Sequence, residues 1–235
     1  MGVLEEQQYF YLRKISPDYY SDYSLPAYLT KVLPESKSAK ILDIGCGFGQ
    51  TLRALLGMGY TNIYGVDISD EAVQHCRDSG LRVEKVTDLA SYMEENRQAY
   101  DFILMSHVLE HIEKTLIIPY VKAIKSMLKE NGRFMVMVPN AQSNTDCYWA
   151  YEDFTHSTLF TAGSLYFVLI AGGFKEVEFV DPYCVEGVPF FKRKVKMFLL
   201  KLFTINKHFW NKVTTSSYHR PSPILFSYEI KVLAK

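Results

Sequence analysis

The 235-residue chain lacks long apolar runs and any excess of charge. No uninterrupted apolar stretch reaches the roughly 18 residues that a membrane-spanning helix needs. The first residues, MGVLEE, contain no basic segment followed by an apolar one, so we expect no signal peptide. The 26 Lys and Arg balance the 26 Asp and Glu, which argues against a general nucleic-acid binder.

The chain also lacks paired cysteines, internal repeats and low-complexity tracts. Its four cysteines form no Cys-x-x-Cys pair, and they are Cys46, Cys76, Cys147 and Cys184. This scatter favours reduced thiols in a cytoplasmic protein over a disulfide framework or a zinc site. Because 48% of the residues are hydrophobic, a chain of this length can bury a sizeable core in one domain.

What the chain does have is a glycine-rich turn between an apolar run and a helical pattern. The run Ile41–Ile44 predicts a buried parallel strand, glycines follow at Gly45, Gly47 and Gly49, and a helical pattern begins at Thr51. Glycines let the backbone approach a ligand where a Cβ would clash, and a helix start offers free N–H groups. We therefore expect a cofactor cradle at the carboxyl end of the first strand.

The spacing of these glycines separates two cofactor classes. Dinucleotide enzymes usually carry G-x-G-x-x-G, whereas this chain has Gly45-x-Gly47-x-Gly49 led by Asp43. The motif resembles the first motif of class I (Rossmann-like) S-adenosylmethionine-dependent methyltransferases. Two later segments are also similar to that family. Tyr100–Ile112, which contains Val-Leu-Glu-His, resembles its strand-four segment, and Leu128–Phe134 resembles its turn into strand five.

Strand and helix patterns alternate along the chain, which predicts an α/β fold with a parallel sheet and right-handed crossovers. We expect strands at 39–44, 63–66, 81–86, 100–105, 133–138, 177–180 and 228–233, with a turn at Asn131-Gly132. The resemblance implies a Rossmann-like seven-stranded, mostly parallel sheet with an antiparallel last strand inserted beside the fifth and helices on both faces. We divide the single domain into an N-terminal helical cover (1–38), a cofactor-binding core (39–181), a basic amphipathic cap (182–223) and the last strand (224–235).

The cofactor implied by the resemblance is S-adenosyl-L-methionine, which leaves S-adenosyl-L-homocysteine as product. Asp67 follows the second strand at the distance expected of a ribose-binding acid, and Asp88 could accept a hydrogen bond from the adenine amino group. As plain structural residues, Asp67 would be a helix cap and Asp88 a solvated loop acid. The predicted cofactor-binding residues are Asp43, Gly45, Cys46, Gly47, Gly49, Asp67, Ile68, Asp88, Leu89, Ser106 and His107.

A long aromatic and polar segment after strand five predicts the acceptor side of the site. Pro139-Asn140 followed by Tyr151-Glu152-Asp153-Phe154-Thr155-His156 resembles methyltransferases of bacterial surface-polysaccharide (capsule or O-antigen) biosynthesis. That resemblance implies His156 as the general base or acceptor ligand, with Asp153 orienting it and His107 beside the reaction centre. Tyr148, Trp149 and Tyr151 would form a stacking wall for a sugar ring; a lid with a packed aromatic core is the structural alternative.

No metal site is predicted, but one alternative stays open. His107-x-x-Glu110-His111 with a later His156 resembles the Glu-x-x-Glu-His set that binds a divalent ion in small-RNA 2′-O-methyltransferases. Histidine replaces the first Glu here, which lowers the negative charge available to a hard cation.

Residues 190–212 are basic and contain no acid, and apolar side chains recur there at helical spacing. This pattern favours a helical cap with a basic rim that attracts a phosphate-bearing acceptor and touches the inner face of a membrane weakly. A helix packed over the sheet with a solvated basic side is the plain alternative.

Together these patterns predict a cytoplasmic enzyme that O-methylates a sugar or another small polar acceptor, nucleotide- or lipid-linked, in surface-glycan biosynthesis. The alternatives are a quinone or tRNA methyltransferase, a nicotinamide oxidoreductase, and a non-catalytic protein that binds S-adenosylmethionine as a scaffold. We expect no nucleic-acid partner, and the sequence carries no prediction of oligomeric state.

Overall fold

The structure, a computed structural model, describes residues 8–146, 148–218 and 223–235. The expectations about the first six residues and about Cys147 lie outside these ranges. Of the helices within them, none is long and apolar enough to cross a bilayer.

The described residues form a seven-stranded sheet in the order β3-β2-β1-β4-β5-β7-β6. Its strands are β1 (Ile41–Ile44), β2 (Ile63–Asp67), β3 (Val83–Lys85), β4 (Tyr100–Ser106), β5 (Leu128–Pro139), β6 (Val177–Phe179) and β7 (Glu229–Ala234). β1 pairs in parallel with β2 and β4, whereas β7 runs antiparallel to both β5 and β6. The predicted fold class, including the inverted strand beside β5, is confirmed.

Helices connect the strands and flank the sheet. They are α1 (Tyr9–Leu12), α2 (Ala27–Val32), α3 (Gln50–Gly57), α4 (Asp70–Asp78), α5 (Leu89–Glu95), α6 (Ile117–Met127), α7 (Tyr148–Glu152), α8 (Ala162–Ala171) and α9 (Phe190–Val213), with 3₁₀ turns at Pro17–Tyr20 and Leu109–His111. Ser69 caps α4 by accepting from Ala72 N–H, as the sequence predicts.

The period-2 alternation of the strands divides the core into two layers. Phe134, Val136 and Val138 of β5 face a cluster that contains α5, α6 and α8, whereas Met135 and Met137 face a second cluster with α2, α3 and α4. Helices therefore cover both faces, and the carboxyl ends of the parallel strands stay at one open edge.

The predicted turn at Asn131-Gly132 is wrong. Both residues lie within β5, which begins at Leu128 directly after α6 ends at Met127. The pairing moves from Tyr100–Leu128 to Phe102–Arg133, a register shift that absorbs the extra residues as an irregularity of the strand. A Cβ on Gly132 would lie 2.9 Å from the carbonyl oxygen of Tyr100, so this glycine permits a close strand contact.

Candidate active site

The segment Gly45–Gly49, here the glycine loop, leaves β1 and turns into α3. Its three glycines have φ angles of +73°, +52° and +76°, a region that favours glycine. The N–H groups of Gly45 and Cys46 both donate to the carbonyl oxygen of Val66, at 2.8 and 3.1 Å. These bonds tie the loop to the end of β2.

Close packing also requires glycine at the two ends of this loop. A Cβ on Gly45 would lie 2.2 Å from Cγ2 of Val108, and a Cβ on Gly49 would lie 2.5 Å from Leu81. The side chain of Cys46 points into the core, where its Sγ lies 2.7 Å from the position of a Cβ on Gly65. Only the backbone of Cys46 is thus available to line the loop.

Two buried carboxylates lie beside the glycine loop. Asp67 accepts from Gly47 N–H at 2.8 Å and from Ser69 N–H at 2.9 Å, and burial nevertheless raises its pKa. Asp43 is 3% exposed, and burial together with the charge of Asp67 raises its pKa to about 8. A positive charge placed between these carboxylates would be stabilised there.

The N-terminal helix α1 joins the glycine loop to the rest of the site. The ring of Phe10 packs on Phe48 at 4.6 Å and lies 3.4 Å from the position of a Cβ on Gly47. The neighbouring Tyr9 donates its hydroxyl to Asp153 Oδ2 at 2.8 Å and contacts His111 edge to face. One short helix therefore packs on the glycine loop and also contacts Asp153 and His111.

The remaining predicted cofactor residues differ in their surroundings. Ile68, Leu89 and Ser106 are half-buried near the strand ends. Asp88 is exposed and caps α5, accepting from Ala90 N–H at 3.1 Å and Ser91 N–H at 3.2 Å. Asp88 is therefore the N-cap of α5, and its contact with adenine stays a prediction.

His107 follows β4 and lies between two carboxylates. Its Nδ1 is 3.3 Å from Glu110 Oε1 and its Nε2 is 3.2 Å from Glu229 Oε2. Although 43% of its side chain is exposed, partial burial opposes the charged ring. The two carboxylates outweigh this effect and raise the pKa of His107 to about 10. His107 is therefore a cation at neutral pH.

Glu110, His111, Asp153, Thr155 and His156, here the histidine cluster, come together from two segments that follow β4 and β5. Thr155 Oγ1 donates to Asp153 Oδ1 at 2.6 Å and lies 2.7 Å from His111 Nδ1. His156 Nδ1 lies 2.6 Å from the carbonyl oxygen of Trp149, and His156 Nε2 lies 3.9 Å from Asp153. The predicted proximity of Asp153 and His156 is present.

Burial and hydrogen bonds set the charge state of two cluster members. Burial lowers the pKa of His111, which favours the neutral imidazole. For Asp153, hydrogen bonds from Thr155 and Tyr9 outweigh burial and lower its pKa, so it is a carboxylate. The cluster therefore contains a neutral ring held against a fixed negative charge.

The predicted aromatic wall lies on the surface around this cluster. Tyr148 is 52% and Tyr151 79% exposed, and the Tyr148 and Trp149 rings pack edge to face at 5.0 Å. Exposed aromatic faces beside a polar cluster can stack on a ligand ring.

A methyltransferase-domain family matches residues 18–179 of the chain. The chain belongs to this family. The fold is that of class I S-adenosylmethionine-dependent methyltransferases, so the predictions of a methyltransferase and of its cofactor are confirmed at the level of the family.

Curated relatives of this methyltransferase domain include two named ubiquinone biosynthesis O-methyltransferase. The protein from Xylella fastidiosa is 30% identical over 118 residues, 48% of this chain and 46% of its own. The one from Bartonella quintana is 29% identical over 108 residues, covering 44% and 42%. The chain spans about half the length of the curated relatives it matches. The expected kinship with surface-polysaccharide enzymes finds no support among these relatives.

Solved structures support the fold of the methyltransferase domain. A S-adenosylmethionine-dependent methyltransferase from Archaeoglobus fulgidus has a TM-score of 0.66 at 22% identity, covering 97% of both chains. Phosphoethanolamine N-methyltransferase 2 from Haemonchus contortus, in complex with phosphomonomethylethanolamine and S-adenosylhomocysteine, has a TM-score of 0.65 at 16% identity, covering 99% of this chain and 60% of its own.

The glycine loop fits the methyl donor of the family. Packing against Val108 and Leu81 excludes side chains at Gly45 and Gly49, so these positions present backbone alone. The buried pair Asp43 and Asp67 offers carboxyl oxygens that can accept hydrogen bonds from an ammonium group and from ribose hydroxyls.

Several residues of this methyltransferase site were missed from the sequence. Glu229 and Lys231 are polar positions in an alternating strand, a pattern typical of a solvated face. Both are buried because β7 lies between β5 and β6, and Lys231 contacts Glu229 at 3.4 Å. The hydrogen bonds of Tyr9 and Thr155 to Asp153 were not predicted either. Tyr9 is 144 residues away from Asp153 along the chain.

Proposed function

We propose that the chain is an S-adenosylmethionine-dependent O-methyltransferase for a hydroxyl of a small acceptor. The observation that carries this proposal is the histidine cluster, where the hydrogen-bonded imidazoles of His111 and His156 and the carboxylate of Asp153 come together after β4 and β5. Helix α1 contacts both the glycine loop and the histidine cluster, so one helix would cover the donor site and the acceptor site.

On the donor side, the loop backbone at Gly45, Gly47 and Gly49 would support the methionine part, and Asp67 would accept from the ribose hydroxyls. Asp43 would favour the ammonium group, because its own charge is costly without a cation nearby. When bound, S-adenosylmethionine supplies its methyl group by in-line displacement at sulfur and leaves S-adenosylhomocysteine. Holding such reactants in line is worth about 7–11 kcal/mol.

On the acceptor side, His156 would accept the proton that the hydroxyl loses as its oxygen bonds to the methyl carbon. The Nδ1 of His156 faces a carbonyl oxygen, which accepts only, so Nδ1 carries the hydrogen and Nε2 the lone pair. Asp153 would position this ring and stabilise it once protonated. His107 is protonated already, and we assign it the positioning of Glu110 and Glu229.

Our first candidate acceptor is a hydroxylated aromatic ring, because relatives over nearly half the chain carry the name ubiquinone biosynthesis O-methyltransferase. The exposed rings of Tyr148 and Tyr151 are suited to stack on such a ring. A sugar hydroxyl of a nucleotide- or lipid-linked glycan is the second candidate, since the segment from Pro139 to His156 resembles surface-polysaccharide methyltransferases and the same side chains stack on sugars.

We propose that helix α9 brings the enzyme to an anionic membrane surface. The helix has 24 residues with none buried, including exposed Phe191, Phe198 and Trp210. It contains no acid and several Lys and Arg. Apolar side chains among basic ones suit an interfacial helix on anionic lipid. Flotation with anionic and with neutral vesicles tests this: the chain should float with the anionic ones only, and absence of flotation with either removes the membrane part.

The test of the main proposal uses His156→Ala with His208→Ala as the matched control, an exposed histidine of α9. Methyl transfer to catechol and sugar acceptors is measured, together with thermal shifts in S-adenosylmethionine, S-adenosylhomocysteine and NAD. We expect His156→Ala to keep the donor-induced shift and to lose about 10²–10⁴-fold in rate. Unchanged rates contradict the base assignment, and a shift with NAD alone contradicts the methyl donor.

A further inference from the structure

Three metal-ligating side chains converge in the histidine cluster, the buried Glu110 and the half-buried His111 and His156. One ligand atom from each of Glu110, His111 and His156 lies within 4.8 Å of the others, and Glu110 Oε1 is 4.0 Å from His156 Nε2. Glu110 is fully buried.

The hydrogen bonds of His111 fix which of its nitrogens has a lone pair. Thr155 has one hydroxyl hydrogen and donates it to the carboxylate of Asp153. Its contact with His111 Nδ1 at 2.7 Å therefore requires Nδ1 to donate. In this tautomer Nε2 of His111 carries the lone pair. The carbonyl of Trp149 has the same effect on His156, whose Nε2 faces Glu110.

The carboxylate of Glu110 lacks a hydrogen-bonded partner among the described residues. Neither of its buried oxygens accepts a hydrogen bond; the ion pair with His107 at 3.3 Å lacks that geometry. A buried carboxylate without such donors is costly. His156 Nε2 lies 4.0 Å from it, and one ring nitrogen of His111 lies within 4.8 Å of both, so the cluster gathers a carboxylate and two imidazoles around one space, as a cation site requires.

The backbone holds these ligands in place without an ion. The carbonyl oxygen of Glu110 accepts from Ser157 N–H at 2.8 Å and from Thr158 N–H at 3.1 Å. The segment after β4 is therefore fixed to the segment that carries His156. Partners on the second nitrogen of each imidazole are the usual support of metal-binding histidines.

We infer that Glu110, His111 and His156 bind a single divalent first-row transition metal ion. Two imidazoles and one carboxylate suit Zn²⁺, Fe²⁺, Co²⁺ or Mn²⁺, whereas Mg²⁺ and Ca²⁺ prefer sets made of oxygen alone. Three protein ligands leave positions open for water or for an acceptor oxygen.

If the proposed function holds, the ion has a consequence for the acceptor. A hydroxyl bound to such an ion loses its proton more readily. With the ion bound, His156 would be a ligand in place of the base that it is in the ion-free site, and the acceptor proton would go to solvent water. This consequence rests on the proposed methyl transfer, whereas ion binding does not.

The test measures ion binding directly, with Co²⁺ as the spectroscopic probe and elemental analysis for bound Zn²⁺ after loading. The whole chain, stripped by a chelator and reloaded, should bind one ion with Co²⁺ d–d absorption, and Mg²⁺ in excess should not compete. Glu110→Gln and His111→Asn should lose the ion. His208→Asn, outside the cluster, should keep it.

A milder variant separates loss of the ion site from loss of the fold. Thr155→Val removes the partner of His111 Nδ1 and should weaken Co²⁺ binding by about 10–100-fold, while the circular dichroism spectrum stays that of the wild type. The inference is overturned if the wild type binds no Co²⁺ or Zn²⁺, or if His111→Asn and Thr155→Val bind as it does. An ion-binding chain that transfers no methyl group leaves the ion site intact and contradicts only the proposed function.

Discussion

The glycine loop and the histidine cluster lie at the same edge of the sheet, yet they are held in opposite ways. The loop is fixed by backbone, with Gly45 and Cys46 donating to the end of β2 and Gly47 donating to Asp67. The cluster has two backbone bonds to the carbonyl oxygen of Glu110, but its side chains are oriented by one another, through the series Tyr9, Asp153, Thr155 and His111.

This difference has a consequence for how each region tolerates change. Backbone held at positive φ fails when any side chain is added, whatever its chemistry. Side-chain hydrogen bonds fail only when the particular donor or acceptor is removed. The loop should therefore be sensitive to size, and the cluster to chemistry.

The largest effect is expected for Gly45→Ala in the loop. A residue other than glycine at φ +73° costs about 1–2 kcal/mol, and the overlap with Val108 at 2.2 Å adds about 1–3 kcal/mol. Urea denaturation should show the loss, and calorimetry should show weaker binding of S-adenosylmethionine.

The control for that change is Gly57→Ala at the end of α3, where a new Cβ meets nothing within 4 Å. It should be neutral or stabilising by up to about 1 kcal/mol. Equal behaviour of the two variants would mean that the loop is not held by close packing.

A second prediction concerns pH and the pair Asp43 and Asp67. An unfolded Asp titrates near about 3.9, whereas the folded pKa of Asp43 is about 8. Between these values the folded chain retains a proton that the unfolded chain has lost. The free energy of unfolding therefore falls as pH rises, by up to about 1.4 kcal/mol per pH unit.

Asp43→Asn should flatten this dependence in urea denaturation of the ligand-free chain, whereas the exposed Asp22→Asn should leave it unchanged. The same slope in Asp43→Asn and wild type would show that Asp43 keeps its charge in the folded chain.

The smallest effect is expected at Asp88. Variants at this position test whether the donor-binding site extends from the glycine loop to the residue that follows β3. Asp88→Ala removes the cap of α5 and should cost about 1 kcal/mol, whereas Asp88→Asn preserves the cap. If Asp88 also binds adenine, Asp88→Asn should lower donor affinity at unchanged stability. Donor affinity equal to that of the wild type in both variants would leave Asp88 as a cap alone.

Much of the fold could be read from short stretches of sequence. The strands at Ile63–Asp67 and Tyr100–Ser106 and the helix that follows the glycine loop are all where their local patterns predict them. The Asn131-Gly132 turn failed because a strand irregularity uses the same residues as a turn. The last strand is where its alternation predicts it, although the neighbouring strands bury its polar positions as well.

The two halves of the site differ in the same way. The loop residues and Asp67 lie within 25 residues of each other, so spacing alone predicts them. The cluster joins residues 44 and 144 positions apart. A resemblance grouped Glu110, His111 and His156 as one alternative, but no pattern along the chain placed Tyr9 or Thr155 with them. Likewise, only the flanking carboxylates from two segments reveal that His107 is a cation.

The sequence by itself determined the strand–helix alternation, the glycine loop and the acid that follows β2, because each depends on propensity and spacing over short distances. Only the tertiary structure decided that Glu110 is buried without a hydrogen-bonded partner among the described residues, and that His111 and His156 lie close to it. The physical reason is that charge state and tautomer depend on which distant groups share a desolvated space, and folding alone brings those groups together.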